Sequence, residues 1–211
     1  DPAYATDYGD LDEWRIELEQ GDRVSISVDS PASTLYPWMS LYDAAGNNEA
    51  YDERQRYGPD SDAFISNYQA TSSGTYLLIV SKDYYVGEYR GAYELHVERA
   101  RGIQQESDAN YNNDSLGGAN TLTLAVSGTH RTATVSGTIM AAEGSNTDED
   151  VYNLGAVKAG ETILVSTRLP VSSSLQPALE LRNSRNEVVA LSTDVPAGEA
   201  RFDVIADDTY Y

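Results

Sequence analysis

Side chains that carry oxygen gather at two places in the second half of the chain. In the first stretch acidic and amide residues stand at alternate positions, and in the second an acid-rich run opens a strand-like pattern. Ca²⁺ takes six to eight oxygen ligands, and alternate residues of an extended segment can point several oxygens to one side. The stretches therefore favour a calcium site, although a solvated acidic turn has the same composition. The residues are Glu106, Asp108, Asn110, Asn112, Asn113 and Asp114, followed by Asp148, Glu149 and Asp150.

Tyrosine gives a second chemical signature, because the chain has 16 tyrosines and only 2 phenylalanines. Tyrosine joins an apolar ring to a polar hydroxyl, which suits exposed recognition surfaces. A predicted loop over residues 83–91 holds three tyrosines and an arginine, and we expect it to bind a polymer by stacking and hydrogen bonding. The alternative is an exposed loop that has no ligand. The four residues are Tyr84, Tyr85, Tyr89 and Arg90.

The signatures of catalysis are weak. The two histidines are His96, between Leu95 and Val97 on a predicted strand, and His130, in a Gly-Thr-His-Arg turn. The sequence has no nucleophile motif of the Gly-x-Ser-x-Gly type, no phosphate-binding glycine loop, no His-Glu-x-x-His motif and no cysteine. We therefore predict that the chain is not an enzyme and that His96 faces solvent. A glycosidase-type carboxylate pair depends on spacing across a cleft, so catalysis ranks third.

The formal net charge of −20 is spread over both halves of the chain. Such a surface repels nucleic acid phosphates and anionic membranes, and it favours divalent cations or basic partners. The sequence shows neither a signal peptide nor an apolar run that approaches the length of a membrane span. Because the chain opens abruptly at Asp1-Pro2, we expect a piece of a longer or processed protein.

The chain contains an internal repeat, in which residues 148–186 echo residues 10–46. Each copy opens with two aspartates one residue apart, alternates apolar and polar residues, and turns at a glycine followed by an acid. The repeat predicts two tandem domains, 1–102 and 103–211. The offset between copies is 138 at Asp12 and Asp150, 139 at Gly21 and Gly160, and 140 at Pro37 and Pro177.

Short alternating runs separated by Gly, Asn and Asp turns position these residues on an all-β scaffold. Period-2 alternation is typical of half-buried strands, and no stretch has a sustained helical period. The polar stretch 49–62 is predicted to be an exposed loop. We predict two antiparallel β-sandwiches of the jelly-roll type. In the first domain the strands are expected near 14–18, 24–28, 37–42, 63–70, 75–81 and 93–97, and in the second near 122–126, 133–140, 187–192 and 201–205.

By sequence, each predicted domain lacks an element that the other has. The second has no counterpart of the strand 93–97, and the first has none of the stretches 106–114 and 135–139. A sandwich without one strand exposes an edge and part of its core, which folded proteins normally cover. We expect that neighbouring segments were removed from the chain, the alternative being that the two units complement each other.

The motifs together resemble the bacterial pre-peptidase C-terminal domains. This family comprises β-sandwich modules of secreted peptidases and other exported hydrolases, and it includes the collagen-binding domains of clostridial collagenases. In the first domain the similarity runs from Asp10-x-Asp12-x-Trp14 through Ser73-Gly74-Thr75-Tyr76 to Tyr93-x-Leu95-x-Val97. In the second it is carried by Glu106-x-Asp108-x-Asn110, Asp114, Ala119, Ser136-Gly137-Thr138-Ile139 and Asp148-x-Asp150-x-Tyr152.

The resemblance implies a ligand set, because in calcium-binding members the acidic lead-in and the Asp-x-Asp strand coordinate the ion. Carried over to this chain, that set is Glu106, Asp108, Asn110, Asp148 and Asp150, and Asp114 completes the predicted metal site. This sequence departs from the family at Ala109, where proline is common, and by the insertion of residues 111–113.

The predicted function is that of a non-catalytic, secreted accessory module. Its partners would be the attached catalytic domain of a hydrolase and an insoluble extracellular polymer, either a collagen-like protein or a polysaccharide. Calcium would be the cofactor, and neither nucleic acid nor membrane would be bound. The alternative function is a structural spacer with no ligand of its own.

Overall fold

The computed structural model describes residues 10–30, 33–53, 62–83, 90–109, 111–140, 147–171, 173–192 and 199–211. Every regular element among them is a β-strand, which confirms the predicted all-β class. Within these ranges, no helix has the length and apolar character needed to cross a bilayer.

The chain divides into two compact units. The first comprises residues 1–112 and 134–148, and the second comprises 113–133 and 149–211. The predicted domain limits, 1–102 and 103–211, divide the chain differently and stay a prediction.

The first seven described strands have six to nine residues, and the later ones have two to five. In chain order they are β1 (Asp12–Leu18), β2 (Arg23–Asp29), β3 (Pro37–Tyr42), β4 (Asn48–Glu53), β5 (Ala63–Gln69), β6 (Gly74–Lys82), β7 (Glu94–Ala100), β8 (Gln104–Gln105), β9 (Asn120–Thr121) and β10 (Ala125–Ser127). They continue with β11 (His130–Thr132), β12 (Val135–Ser136), β13 (Tyr152–Asn153), β14 (Gly155–Val157), β15 (Thr162–Ser166), β16 (Leu179–Arg182), β17 (Val188–Ser192), β18 (Glu199–Asp203) and β19 (Asp208–Tyr210).

The first unit is a two-layer antiparallel sandwich. One sheet has the strand order β1-β6-β3-β4 and the other β5-β2-β7. Alternate residues of each strand point inward, as the sequence pattern predicted, and the two sheets share one apolar core. The fully buried members of this core are Val24, Ile26, Val28, Met39, Leu41, Ala63, Tyr76 and Leu78.

The prediction of an exposed loop at residues 49–62 is wrong for its first part, because Asn48–Glu53 forms β4. Asp52 on this strand is completely buried, and its Oδ2 accepts a hydrogen bond from the Phe64 backbone at 2.7 Å. A carboxylate that accepts from the backbone can replace an apolar residue at a buried position. Because β4 is polar, the alternation of apolar and polar residues did not identify it as a strand.

The second unit has antiparallel strand pairs around a smaller core. β14 pairs with β19, β15 with β18 and β16 with β17. The core is formed by Val157, Leu181, Ala200, Phe202, Val204 and Tyr210. The predicted strand 122–126 appears in part as β10, which forms a hairpin with β11, and the predicted strand 133–140 is reduced to β12.

The two copies of the repeated turn have the same backbone geometry. Gly21 and Gly160 have φ angles of 91° and 88°, a region that glycine adopts without a steric penalty. The Gly21 amide donates to the Ala70 carbonyl at 2.9 Å, and the Gly160 amide donates to the Val204 carbonyl at 2.8 Å. The sequence repeat is therefore a repeat of hydrogen-bonded structure at this turn.

Two later segments belong to the first unit. β12 pairs in parallel with β8, and the Thr138 hydroxyl donates to the Glu98 carboxylate on β7 at 2.6 Å. Residues 104–112 and 134–148 thus belong to the first unit. They include most of the two stretches, 106–114 and 135–139, of which the predicted first domain had no counterpart. The expected removal of neighbouring segments and its alternative, that the two units complement each other, both stay predictions.

Candidate functional site

The acidic lead-in is fixed inside the first unit by backbone hydrogen bonds. The Glu106 amide donates to the Ser136 carbonyl at 2.9 Å, and a Glu106 carboxylate oxygen accepts from the Thr138 amide. Two residues on, the Asp108 amide donates to the Ser66 hydroxyl at 2.8 Å. Glu106 and Asp108 are both about 1% exposed, so these two acids are held in the protein interior rather than in a solvated turn.

Asp148 joins this group in the same unit. One of its carboxylate oxygens accepts from the Met140 amide, and carboxylate oxygens of Asp108 and Asp148 lie within 4.8 Å of each other. Ligands on opposite sides of a Ca²⁺ ion at 2.3–2.6 Å are roughly 4.6–5.2 Å apart. The spacing of these two oxygens therefore fits a shared calcium ion, and the positive charge of the ion would offset the repulsion between the buried Asp108 carboxylate and the half-buried Asp148 carboxylate.

The second unit holds two further members of the predicted metal set. The Asp114 carboxylate accepts from the Glu149 amide at 3.3 Å, and the Asp150 carboxylate accepts from the Asn113 side chain at 3.1 Å. Burial raises the pKa of the Asp114 carboxyl, and the charges of Glu149 and Asp150 raise it further. These residues form an acidic environment that a cation would stabilise. Asn110, the remaining predicted ligand, lies outside the described residues.

The predicted polymer-binding loop is only partly described. Tyr84, Tyr85 and Tyr89 lie outside the described residues, and Arg90 is exposed. Immediately after Arg90 the chain lines a shallow cavity of about 510 Å³ in the first unit. The lining residues are Asp12, Trp14, Gly91, Ala92, Tyr93 and Leu95.

Two aromatic rings and a carboxylate in this cavity are joined by hydrogen bonds. The Trp14 indole N–H donates to the Tyr93 hydroxyl at 3.2 Å, and that hydroxyl donates to Asp12 Oδ2 at 2.7 Å. The Trp14 side chain is 47% exposed. Burial raises the pKa of the Tyr93 hydroxyl, and its hydrogen bond to Asp12 raises it further. The phenol therefore remains a donor to Asp12, and the two rings are held in fixed positions.

His96 lies on β7 with an exposed side chain, which confirms the predicted solvent-facing position. Its Nε2 atom is 3.5 Å from an Asp29 carboxylate oxygen and 3.7 Å from Glu94. The imidazole therefore lies close to acidic side chains of β2 and β7.

Residues 10–82, which span β1 to β6 of the first unit, match the family model of the bacterial pre-peptidase C-terminal domain. The match supports a pre-peptidase C-terminal domain over this stretch. Domains of this family are non-catalytic accessory domains of secreted bacterial proteases. A comparison of the whole chain with curated proteins finds no match.

The sequence interpretation missed the aromatic cavity of the first unit. Trp14 and Tyr93 fall in the predicted strands 14–18 and 93–97, whose alternation indicates half-buried strands and no binding surface. In the structure Ile16 and Tyr93 do pack against the core, but Trp14 is near the start of an edge strand, where the core no longer covers it. The available signal was the Asp12-x-Trp14 pair, since an acid and a large aromatic on the same side of an edge strand form a surface feature.

Proposed function

We propose that the chain is a non-catalytic accessory module of a secreted hydrolase and binds an insoluble extracellular polymer. The family match over residues 10–82 supports the accessory role. The observation that carries polymer binding is the cavity at Trp14, where a half-exposed indole stands beside Tyr93 and Asp12. Exposed aromatic rings held in one orientation bind flat ligand surfaces at a low cost in conformational entropy.

The module would act by raising local concentration. A catalytic domain joined to a bound module stays close to its insoluble substrate, so that its encounters with the substrate become intramolecular. The chain itself would contribute binding and no bond-breaking step.

Calcium would stabilise the lead-in of this module. The structural support is the pair Asp108 and Asp148, whose carboxylate oxygens lie within 4.8 Å of each other beside the buried Glu106. A bound calcium ion would supply charge neutralisation and a rigid link between segments that are distant in sequence. The remaining predicted ligands are Asn110 and Asp150, which the family resemblance implies, and Asp114.

A pull-down on collagen, chitin, cellulose and agar, with and without calcium, tests the polymer-binding function. We expect retention on at least one of these solids and its loss in Trp14→Ala. Tyr51→Ala is the matched control, because Tyr51 is similarly exposed at 44% but lies on β4, at the opposite edge of the same sheet from β1. A chain that stays in the supernatant with every solid would instead be a structural spacer.

A further inference from the structure

The aromatic cavity offers acceptors and ring faces but few donors. The Trp14 indole N–H is used by Tyr93, and the Tyr93 hydroxyl hydrogen is used by Asp12. Leu95 and Ala92 contribute apolar side chains, and Gly91 contributes none. What the lining side chains offer a ligand is therefore the half-exposed indole of Trp14, the ring of Tyr93 and the carboxylate of Asp12.

The shortage of hydrogen-bond donors in the cavity distinguishes a protein ligand from a polysaccharide, the two polymer classes that the proposed function leaves open. A neutral saccharide presents hydroxyls that both donate and accept, so part of its hydrogen-bonding capacity would stay unmet here. A guanidinium group has five N–H donors, no acceptor and a flat positive surface that stacks on aromatic rings. Its charge also complements Asp12 and the net charge of −20.

The wall of the cavity is held in place by close packing at Gly91. A Cβ atom built on Gly91 would lie 2.3 Å from the Cβ of Ser33, so no other residue fits without displacing the backbone of one partner. The Ser33 hydroxyl donates to the Ala92 carbonyl at 2.9 Å. The segment that leads into Tyr93 is thus anchored to a neighbouring loop, and the cavity is formed before a ligand arrives.

From this geometry we infer that the cavity binds an arginine side chain of a protein polymer. The guanidinium stacks on the rings of Trp14 and Tyr93 and donates to the carboxylate of Asp12. This inference rests on the proposed function and narrows its substrate class from a polymer in general to a protein that displays arginine.

The test uses the whole chain labelled with ¹⁵N and the peptide acetyl-glycyl-arginyl-glycine amide. The matched probe has citrulline in place of arginine, which keeps the shape of the side chain and removes its charge. The chain has 2 tryptophans, so the Trp14 indole N–H signal can be assigned with Trp14→Phe. We expect this signal to shift with the arginine peptide and the citrulline peptide to bind at least about fivefold more weakly.

Two variants test whether the carboxylate charge of Asp12 contributes to binding of the arginine peptide. Asp12→Asn replaces an exposed carboxylate by an isosteric amide and is expected to weaken binding of the arginine peptide about fivefold. Glu13→Gln is the matched control, because Glu13 is an exposed acid next to Asp12 on β1 that does not line the cavity, and its replacement should leave binding of the arginine peptide unchanged. Equal affinity for both peptides, or tighter binding of a chitin or cellulose oligosaccharide, would overturn the inference.

The outcome is independent of the polymer assay. A chain that is retained on collagen but does not distinguish the two peptides keeps its proposed function and loses the arginine site. A chain that prefers the arginine peptide but is retained on no solid keeps the arginine site and loses the polymer-binding function.

Discussion

The guanidinium of Arg101 holds both carboxylate oxygens of Asp22, with Nε 2.7 Å from Oδ1 and a terminal nitrogen 2.7 Å from Oδ2. Asp22 is buried at the repeated turn, where its Oδ2 also accepts from the Glu19 amide at 2.9 Å. The hydrogen bonds from Arg101 are the main reason that the pKa of Asp22 falls to about 2. This ion pair joins the end of β7 to the turn between β1 and β2.

Arg101→Gln should destabilise the first unit at neutral pH. The pKa of Asp22 is lowered from 3.8 to about 2, which corresponds to about 2 kcal/mol of stabilisation. Because the folded pKa is the lower one, this contribution is present above pH 4 and is lost as the pH falls towards 2. Urea unfolding at pH 7 and at pH 2.5 should show a difference between wild type and variant that shrinks in acid.

Arg185→Gln is the matched control for this ion pair. Arg185 contacts Glu187 at 2.7 Å, but both side chains are exposed, and such pairs contribute little. If Arg101→Gln lowers the free energy of unfolding no more than Arg185→Gln does, the Arg101–Asp22 ion pair does not stabilise the first unit. A loss that is the same at pH 7 and pH 2.5 would contradict the lowered pKa of Asp22.

The strands of the first unit could be predicted because their alternation is local. Val24, Ile26 and Val28 point to the same face of a pleated strand, so that packing this face against the core buries all three. The burial of Asp52 could not be predicted from local alternation, since it depends on a hydrogen bond from the backbone of Phe64, twelve residues away. The placement of residues 134–148 in the first unit also depends on distant partners, such as Glu98 for Thr138, which no local period encodes.

The candidate site was predictable in composition and not in geometry. The spacing of Glu106 and Asp108 identified an oxygen-rich lead-in, and the structure brings Asp148 within reach of Asp108. The aromatic cavity was missed, because it depends on Tyr93 lying next to Trp14 across 79 residues of sequence. Local patterns indicate which residues can bind a ligand, but long-range pairing decides which of them meet.

A tyrosine hydroxyl closes the same local loop in both units. Tyr76 donates to the Ser72 carbonyl at 3.1 Å, and Tyr210 donates to the Ala206 carbonyl at 2.8 Å. Tyr76→Phe and Tyr210→Phe should each lower the free energy of unfolding by about 1 kcal/mol, since a buried tyrosine loses the hydrogen bond of its hydroxyl. Thermal melts of each variant would measure the loss.

Tyr42→Phe serves as the control for the hydroxyl deletions, because its hydroxyl makes no hydrogen bond to the described residues. Its effect should be within about 0.5 kcal/mol. If Tyr42→Phe costs as much as Tyr76→Phe, the loop-closing bond is not the source of the stability.

Asp29→Asn should stabilise the first unit at high pH. Burial raises the pKa of Asp29 to about 6, with a further contribution from the charge of Asp62, while His96 opposes the rise. A raised folded pKa means that the wild type loses stability as the pH rises from 4 to 6, by about 2 kcal/mol. The variant should therefore match the wild type near pH 4 and exceed it at pH 8. A constant difference across this range in pH-dependent melts would refute the prediction.

Calcium should raise the melting temperature of the whole chain by several degrees. A ligand that binds only the folded state stabilises it by about 2.7 kcal/mol at 100 times its Kd. Asp108→Asn and Asp148→Asn should each remove most of the calcium-dependent rise, because their carboxylate oxygens lie within 4.8 Å of each other. Differential scanning calorimetry with and without chelator would measure the effect.

Asp10→Asn is the matched control for the calcium experiment. Asp10 occupies the position in the first copy of the repeat that Asp148 occupies in the second, and it is exposed. Its replacement removes the same charge from the chain and should leave the calcium response intact. If Asp10→Asn reduces the response as much as Asp148→Asn does, the stabilisation arises from screening of the net charge of −20 rather than from a site. If calcium does not change the melting temperature of the wild-type chain, the predicted calcium site is wrong.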